Sequence, residues 1–217
     1  MWPNTDGQSK GEEKINFADR FEAGDRLVDQ LREKVDIVLA IPRGGVVTGK
    51  VVADKLEVPL SVVITKKIGV PGQEELAVGG MDYDGEITWN EELMVRLGIR
   101  EEDLRDEIYD LRLKIQEYRK KFKVKDVGLG GKRVVIVDDG VATGATMAAA
   151  VKYVRRKGAK KIIVAVPVCS HEAERKLKEL ADEVVCLYAP DYFGAVGQFY
   201  EYFPQVTDDE VIDILQS

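Results

Sequence analysis

Two adjacent carboxylates, followed by a loop rich in glycine and threonine, form the stretch of this chain best suited to chemistry. Asp138 and Asp139 follow four β-branched apolar residues, 134–137, a pattern typical of a strand buried on both faces of a parallel sheet. The loop Gly140–Thr146 then leads into a helix predicted over about 147–156. A helix start presents N–H donors and a positive dipole to a phosphate, and carboxylates accept hydrogen bonds from sugar hydroxyls or hold hydrated Mg²⁺. The stretch therefore predicts a sugar-phosphate site with a metal ion close by.

The structural alternative for this stretch is an ordinary turn between a strand and a helix. It is less favoured, because an acidic pair at the end of an apolar strand is costly unless something binds there. The loop is not a Walker A loop, since no Gly-Lys-Ser/Thr follows, and it is not the G-x-G-x-x-G dinucleotide fingerprint.

A second predicted strand, 36–41, also runs into a glycine-containing loop at the start of a helix, here predicted over 46–56. The loop residues are Pro42, Arg43, Gly44 and Gly45. A second anion site is reasonable at such a helix start, and the alternative is a tight turn with a surface arginine.

Two lysines, Lys66 and Lys67, follow a third predicted strand, 59–65. They stand at the expected carboxyl edge of a parallel sheet, where open α/β folds bind ligands. The alternative is a solvated pair. Strands that alternate with helices through the rest of the chain predict a parallel, doubly wound sheet.

The string Val134–Thr146 resembles the PRPP-binding motif of type I phosphoribosyltransferases, with its apolar residues, two acids and Thr-Gly-x-Thr loop. The resemblance extends from Val35 to about Leu187 and is close to an uncharacterised bacterial and archaeal subgroup with PRGG and VDDG-ATGAT strings. It implies an α/β fold with a doubly wound, mainly parallel sheet flanked by helices, and a small hood formed by the chain ends. The implied reaction is Mg²⁺-dependent displacement of pyrophosphate from PRPP by a nitrogenous acceptor, a nucleobase or related heterocycle.

The resemblance also implies roles for residues. Asp138 and Asp139 would hold the ribose hydroxyls and the metal, directly or through water, and Arg43 would assist the leaving pyrophosphate. The 5′-phosphate would be clamped by Ala142, Thr143, Gly144, Ala145 and Thr146. The pyrophosphate would meet Pro42, Arg43, Gly44, Gly45, Lys66 and Lys67.

Two positions depart from the family pattern. Gly140 stands where an aliphatic residue is usual, which predicts a looser turn. Ala142 stands where 6-oxopurine enzymes carry an aspartate, so guanine and hypoxanthine are less favoured acceptors. This alanine resembles adenine phosphoribosyltransferase, whose acid–base candidate is a loop carboxylate. The corresponding hypothesis here is Glu75, with Glu74 as its alternative.

The prediction for domain organisation is a single phosphoribosyltransferase domain over residues 1–217 with a core of about 35–188. The polar, glycine-rich segment 68–90 is predicted to be a flexible lid with a hairpin at its base. The hood would come from about 15–33 and 189–217 and would recognise the acceptor. Its candidate contacts, together with one residue of the central loop, are Val141, Tyr192 and Phe193.

Composition limits the alternatives. The chain has 217 residues, a net charge of −7 and a pI near 5.0, which argues against a nucleic-acid-binding surface. It has no apolar run long enough to cross a bilayer and no signal peptide, which predicts a cytoplasmic protein. A homodimer is expected from the resemblance alone. The alternatives to an enzyme on PRPP are a non-catalytic PRPP- or nucleotide-binding regulator, and an altered member that acts on another sugar phosphate.

A few residues with chemical potential receive structural interpretations. Asp19 and Arg20 are predicted to lie on the solvated face of a helix over 17–32, with a contact to the site as the alternative. Cys169 and Cys186 are interpreted as small buried hydrophobes, with a disulfide or a metal pair as the alternatives. The single histidine, His171, is interpreted as a helix cap or surface residue, with acid–base catalysis as the alternative.

Overall fold

Strands and helices alternate in the computed structural model, which describes residues 16–70, 73–124 and 127–217, with only the backbone at 73–75. The helices are α1 (Arg20–Val28), α2 (Gly44–Leu56), α3 (Glu91–Leu97), α4 (Arg105–Lys121), α5 (Ala145–Arg156), α6 (His171–Leu180) and α7 (Asp208–Gln216). The strands are β1 (Ile37–Ala40), β2 (Leu60–Val62), β3 (Lys66–Val70), β4 (Gln73–Met81), β5 (Ile87–Trp89), β6 (Arg133–Val137), β7 (Lys161–Val168) and β8 (Glu183–Tyr188). No helix in these ranges is both long enough and apolar enough to cross a membrane.

Five strands form the parallel sheet that the sequence predicts, in the order β2-β1-β6-β7-β8. Strands β1, β6 and β7 are continuous apolar runs because both faces of the sheet are covered. On one face Val38 and Val135 pack with Leu27 of α1 and Val52 of α2. On the other face the alternate strand residues pack against α5 and α6. The predicted doubly wound α/β fold is confirmed.

The strand register places the two candidate loops side by side. Ala40, the last residue of β1, pairs with Val137, the last residue of β6, and Val137 pairs with Ala165 of β7. In parallel strands these carboxyl ends share one edge of the sheet, which is where such folds bind ligands. The loops after β1 and β6 therefore face each other.

A second, antiparallel sheet of β3, β4 and β5 stands where the sequence predicts a lid with a hairpin at its base. The hairpin is present, since Gly79 pairs with Trp89 and Met81 with Ile87. Gly80 lets β4 approach α5 closely, because a Cβ there would lie 2.5 Å from the carbonyl oxygen of Ala145. Residues 71 and 72 lie outside the described ranges, and closure of the segment stays a prediction.

The third predicted strand ends earlier than expected. Strand β2 stops at Val62, and Lys66 and Lys67 begin β3 of the second sheet. They therefore extend the antiparallel sheet and do not end a strand of the parallel one. The β-branched run that predicted a strand to 65 continues as buried, extended chain because Val63 and Ile64 pack in the core.

The two ends of the described chain pack together beside β7. The backbone N–H of Phe17 donates to Phe199, and the N–H of Glu201 donates to Phe17, each at 2.8 Å. The rings of Phe17 and Tyr200 lie 5.4 Å apart in an aromatic cluster that also buries Val168 of β7. This contact fits the expectation that the hood is built from both chain ends, although residue 15 lies outside the described ranges.

Candidate active site

Two glycines and two aspartates bring the loops after β1 and β6 into direct contact. A Cβ on Gly44 would lie 1.8 Å from Oδ2 of Asp139, and a Cβ on Gly45 would lie 2.7 Å from Oδ1 of Asp138. Only glycine allows so close an approach. The predicted loop 42–45 is shorter than expected, since α2 already begins at Gly44 and places both glycines in its first turn. The peptide bond between Pro42 and Arg43 is cis.

Asp138 faces a cavity of about 190 Å³ at the carboxyl edge of the sheet. Burial raises the pKa of this half-buried carboxyl well above its usual range, and the negative charge of Asp139 raises it further. Its Oδ1 accepts the backbone N–H of Asp139 at 2.9 Å. The cavity lies between the end of β6, the loop after it, β3 and the C-terminal segment 189–217, which we call the tail. Its lining residues are Lys67, Asp138, Gly140, Val141, Ala142, Thr143, Gly144, Thr146, Met147 and Val196.

Asp139 points away from this cavity, toward Arg20. The Nε–H of Arg20 donates to Oδ2 of Asp139 at 2.8 Å, and an Nη1–H donates to the carbonyl of Pro204 at 2.8 Å. The guanidinium also lies 3.7 Å from the ring centroid of Phe203. The predicted solvated position of Arg20 is wrong, because its side chain is only 7% exposed. Asp19 caps α1, accepting the N–H groups of residues 21 and 22.

The backbone beside Asp139 is held by the tail. The hydroxyl of Tyr200 donates to the carbonyl oxygen of Asp139 at 2.5 Å. Burial raises the pKa of Tyr200, and the carboxylate charge of Asp139 adds to this, so the hydroxyl stays a neutral donor. Burial also raises the pKa of Asp139 itself, while the Arg20 guanidinium acts against that shift. A site contact is the less favoured sequence interpretation of Arg20, and no local pattern points to Tyr200.

The loop after β6 has the features of an anion site. Gly144 precedes α5 with φ near +79°, a left-handed conformation that favours glycine, and it offers no side chain to cap the helix. The first N–H groups of a helix lack partners within it, and Thr146 and Met147 of the first turn of α5 line the cavity. Ala142 and Thr143 are exposed, and Ala145 and Thr146 already belong to the first turn of α5.

The cationic side chains divide between two places. Lys67 lines the cavity with Asp138, whereas Lys66 lies with its Nζ 4.4 Å from the ring centroid of Tyr118. Burial lowers the pKa of Lys66, and the positive charges of Arg43 and Lys114 lower it further.

An aspartate of the last helix sits among these cations. Nη1 of Arg43 lies 3.5 Å from Oδ1 of Asp208, whose Oδ2 lies 2.5 Å from Nζ of Lys121. The Lys121 ammonium, with Arg43, lowers the pKa of Asp208. No local sequence pattern connects Asp208 to Arg43, so its role is visible only in the structure.

The tail also explains one departure from the family pattern. A Cβ on Gly140 would lie 2.5 Å from Cγ1 of Val196 and 3.0 Å from Cγ1 of Val168. Val196 therefore occupies the space that an aliphatic side chain at 140 would need. The predicted looser turn does not arise, because the tail fills the gap.

The remaining candidate residues lie around this centre. Val141 lines the cavity, but neither Tyr192 nor Phe193 is among the described lining residues: Tyr192 is 81% exposed, and the ring of Phe193 lies 5.2 Å from that of Phe199. His171 is exposed, with Nε2 3.3 Å from Asp191. The side chains of Glu74 and Glu75 lie outside what the structure describes.

The donor set fits a magnesium ion held jointly with a ligand. Within the described residues, no group of three or more His, Cys, Asp or Glu side chains could hold a metal by itself. Mg²⁺ needs only one or two carboxylates when substrate oxygens and water complete its shell. Asp138 on the cavity wall can supply one, while one oxygen of Asp139 is already paired with Arg20.

These features define an α/β protein with a glycine-containing loop at a helix start and an acidic strand end on one sheet edge. The chain belongs to the phosphoribosyl transferase domain family, whose model matches residues 20–204. The family predicted from the motifs is thereby confirmed.

Two similar proteins are informative. A Mycobacterium tuberculosis protein, provisionally named a phosphoribosyl transferase, is 40% identical over 207 residues, which cover 92% of this chain and 46% of the relative. The chain thus spans about half the length of the curated relatives it matches. A crystal structure of a Thermus thermophilus protein has 38% identity and a TM-score of 0.78, covering 93% of this chain and 98% of that one.

Proposed function

We propose that this chain transfers the 5-phosphoribosyl group of PRPP to a small nitrogenous acceptor and releases pyrophosphate, with Mg²⁺. The observation that carries the proposal is the cavity on which Asp138, Lys67 and the Gly140–Thr146 loop converge. Family membership supports a chemistry based on PRPP. The homodimer and the cytoplasmic location stay predictions.

In this proposal the loop holds the 5′-phosphate and Asp138 meets the ribose. The N–H groups at the start of α5 and the hydroxyls of Thr143 and Thr146 donate to the phosphate oxygens. The transition state of the proposed displacement carries positive charge on the ribose, and the Asp138 carboxylate stabilises that charge from the cavity wall. Asp139, fixed by Arg20, holds the strand end in place and reaches a metal only through water.

Pyrophosphate lies on the other side of the ribose in this proposal, toward Gly44 and the uncapped start of α2. Arg43 and Lys66 receive its charge from one side and Lys67 from the other. Asp138 would hold Mg²⁺ together with substrate oxygens, and the bound ion would supply positive charge to the departing group. Closure of the segment 68–90 excludes water, and Glu75 handles the acceptor proton.

The acceptor lies near the apolar part of the cavity wall, where Val141 and Val196 meet Asp138. Apolar walls with a few polar groups are typical of sites for flat heterocycles. Tyr192 and Phe193 contribute to this recognition only if the hood moves, because they lie away from the cavity lining. The acceptor is therefore proposed as a class and not as one compound.

The test is pyrophosphate release from PRPP with Mg²⁺ across a panel of purines, pyrimidines, pyridine carboxylates and simple amines. The matched pair of variants is Asp138→Asn in the cavity and Asp213→Asn on the exposed face of α7. Release with one acceptor, lost in Asp138→Asn and kept in Asp213→Asn, is the expected result. Glu75→Gln tests the proposed proton acceptor separately.

Two outcomes contradict the proposal in different ways. PRPP binding by calorimetry without release for any acceptor favours the non-catalytic regulator on the same fold. Absence of both binding and release removes PRPP as the ligand and leaves another sugar phosphate as the candidate.

A further inference from the structure

The side chains of the only two cysteines of the chain meet at the end of β7, although Cys186 pairs with Val166 in the strand register. Cys169 directly follows β7, Cys186 lies in β8, and their Sγ atoms are 2.7 Å apart. This separation is only about 0.7 Å longer than a disulfide bond. The sequence interpretation of both as small buried hydrophobes does not account for this contact.

The backbone around the pair is already held in place for a covalent link. Strands β7 and β8 pair in parallel up to Val168 and Tyr188, and the N–H of Cys169 then donates to the carbonyl of Tyr188 at 3.2 Å. The thiol of Cys186 donates to the same carbonyl at 3.2 Å. A bond between the sulfurs therefore needs only a small side-chain adjustment and no change of strand register.

The two thiols differ in access. Cys169 is fully buried, whereas Cys186 is partly exposed on the edge strand of the sheet. The hydrogen bond with the Cys186 thiol raises the pKa of Cys169, and burial raises it further, so this group is the poorer initial nucleophile. An oxidant from solvent reaches Cys186 first, and Cys169 lies in position to complete the exchange.

We propose that Cys169 and Cys186 form a reversible intramolecular disulfide, a modification site separate from the candidate active site. With oxidised glutathione, the Cys186 thiolate attacks one sulfur and releases one glutathione thiolate. The Cys169 thiolate then attacks the Cys186 sulfur of the mixed disulfide and releases the second. The protein loses two electrons and two protons, and one glutathione disulfide becomes two thiols.

The position of the pair links it to the loop after β6. Val141 forms a bridge with Cys169, donating its N–H to Val168 and accepting the N–H of Ser170. The disulfide anchors this bridge to the edge strand β8. Hydrogen exchange at the amides of Val141 and Ser170 is therefore expected to slow at least several-fold on oxidation, because the local opening that exposes them is restrained.

The test is to equilibrate the protein in buffers of graded reduced-to-oxidised glutathione ratio, quench with acid, alkylate under denaturing conditions and measure the intact mass. The expected product in oxidising buffers is an unalkylated monomer lighter by two hydrogen atoms, which dithiothreitol converts back to the doubly alkylated form. Its Tm is expected to rise by about 5–10 °C, since the bond closes a short loop of the unfolded chain.

Cys186→Ser is the matched control, because its single remaining thiol cannot form an intramolecular bond. It should show neither the mass loss nor the rise in Tm in oxidising buffers. Cys169→Ala is the same control at the buried cysteine. If Cys169→Ala fails to fold, Cys186→Ser alone still tests the proposal. Two alkylated cysteines in every buffer, or a glutathione adduct on Cys186 that never resolves, would overturn the proposal. Neither result depends on the proposed transferase activity.

Discussion

Arg20 and Asp139, 119 positions apart in the sequence, form a buried ion pair with 2.8 Å between Nε and Oδ2. The pair gives the two neighbouring aspartates different environments. Burial raises the pKa of both carboxyls, but the Arg20 guanidinium opposes that shift at Asp139, whereas the negative charge of Asp139 adds to it at Asp138. Substitution at Asp139 also leaves the buried Arg20 without its anion, so the two neighbouring aspartates should respond in opposite ways to the same substitution.

Asp138→Asn is expected to stabilise the protein by about 0.5–2 kcal/mol near pH 7 while abolishing the proposed activity. The folded-state pKa of Asp138 is raised, so its stability contribution is present at low pH and is lost as pH rises through that pKa. The neutral amide removes this loss. Urea unfolding at neutral pH measures the gain, which should vanish below about pH 4, where the carboxyl is protonated in both states. A lower free energy of unfolding at pH 7 would contradict this assignment.

Asp139→Asn is expected to destabilise the protein by about 3 kcal/mol, because the buried Arg20 loses its charged partner. The same unfolding experiment measures it. The control is the double variant Arg20→Met/Asp139→Asn, which removes both charges and should recover part of the loss. The single variant Arg20→Met completes the cycle. If the free-energy changes of Arg20→Met and Asp139→Asn add up to that of the double variant, the ion pair does not contribute as the structure indicates.

Much of the fold and part of this site follow from local sequence patterns. Continuous apolar runs predict the buried strands β1 and β6, and the parallel pairing of these strands then places Gly44 beside Asp139. These predictions succeed because strand burial and loop position depend on nearby residues.

The parts that the sequence did not reveal depend on distant contacts. The helical stripe around Arg20 says nothing about a carboxylate 119 positions away, and α7 gives no sign that Asp208 meets Arg43. Likewise, Gly140 by itself predicts a loose turn, but Val196 of the distant tail fills the space beside it. Side-chain partners brought together by tertiary packing have no local signature in a single sequence.

Gly44→Ala is expected to destabilise the protein by about 1–3 kcal/mol, although alanine usually stabilises a helix relative to glycine. The added Cβ would lie 1.8 Å from Oδ2 of Asp139 and 3.0 Å from Nε of Arg20, so it forces the ion pair apart. Gly130→Ala is the matched control, because its Cβ would have Lys157 O as nearest neighbour, at 3.9 Å. Thermal unfolding should leave Gly130→Ala within about 0.5 kcal/mol of the parent chain. Equal effects of the two substitutions would show that the contact with Asp139 is unimportant.

Asp208→Asn is expected to increase the affinity for pyrophosphate about five-fold at low salt. The Asp208 carboxylate lies 3.5 Å from Arg43, and an ion pair at this distance is worth about 1 kcal/mol in water. In the wild-type chain this pair competes with pyrophosphate for the Arg43 guanidinium, and the asparagine removes the competition. The gain should shrink as ionic strength rises, since the charges are partly exposed. Calorimetry with pyrophosphate measures the effect, and Asp209→Asn, an exposed neighbour in the same helical turn, is the control. Weaker binding in Asp208→Asn would mean that Asp208 serves to hold Arg43 in its binding position.

Gly140→Ala and Val196→Ala are expected to compensate each other. The Cβ added at Gly140 would lie 2.5 and 2.9 Å from the two Cγ atoms of Val196, and β-branched side chains have little freedom to move aside. Gly140→Ala alone should therefore cost about 1–3 kcal/mol, and Val196→Ala alone about 1 kcal/mol from lost burial. In the double variant the alanine at 140 occupies the vacated space, so urea unfolding should reveal a coupling of about 1–2 kcal/mol between the sites. The contact of the new Cβ with Val168, at 3.0 Å, remains and keeps the recovery incomplete. The pair Gly130→Ala and Val196→Ala should be additive, and additivity at Gly140 as well would mean that Val196 does not fill the space above the turn.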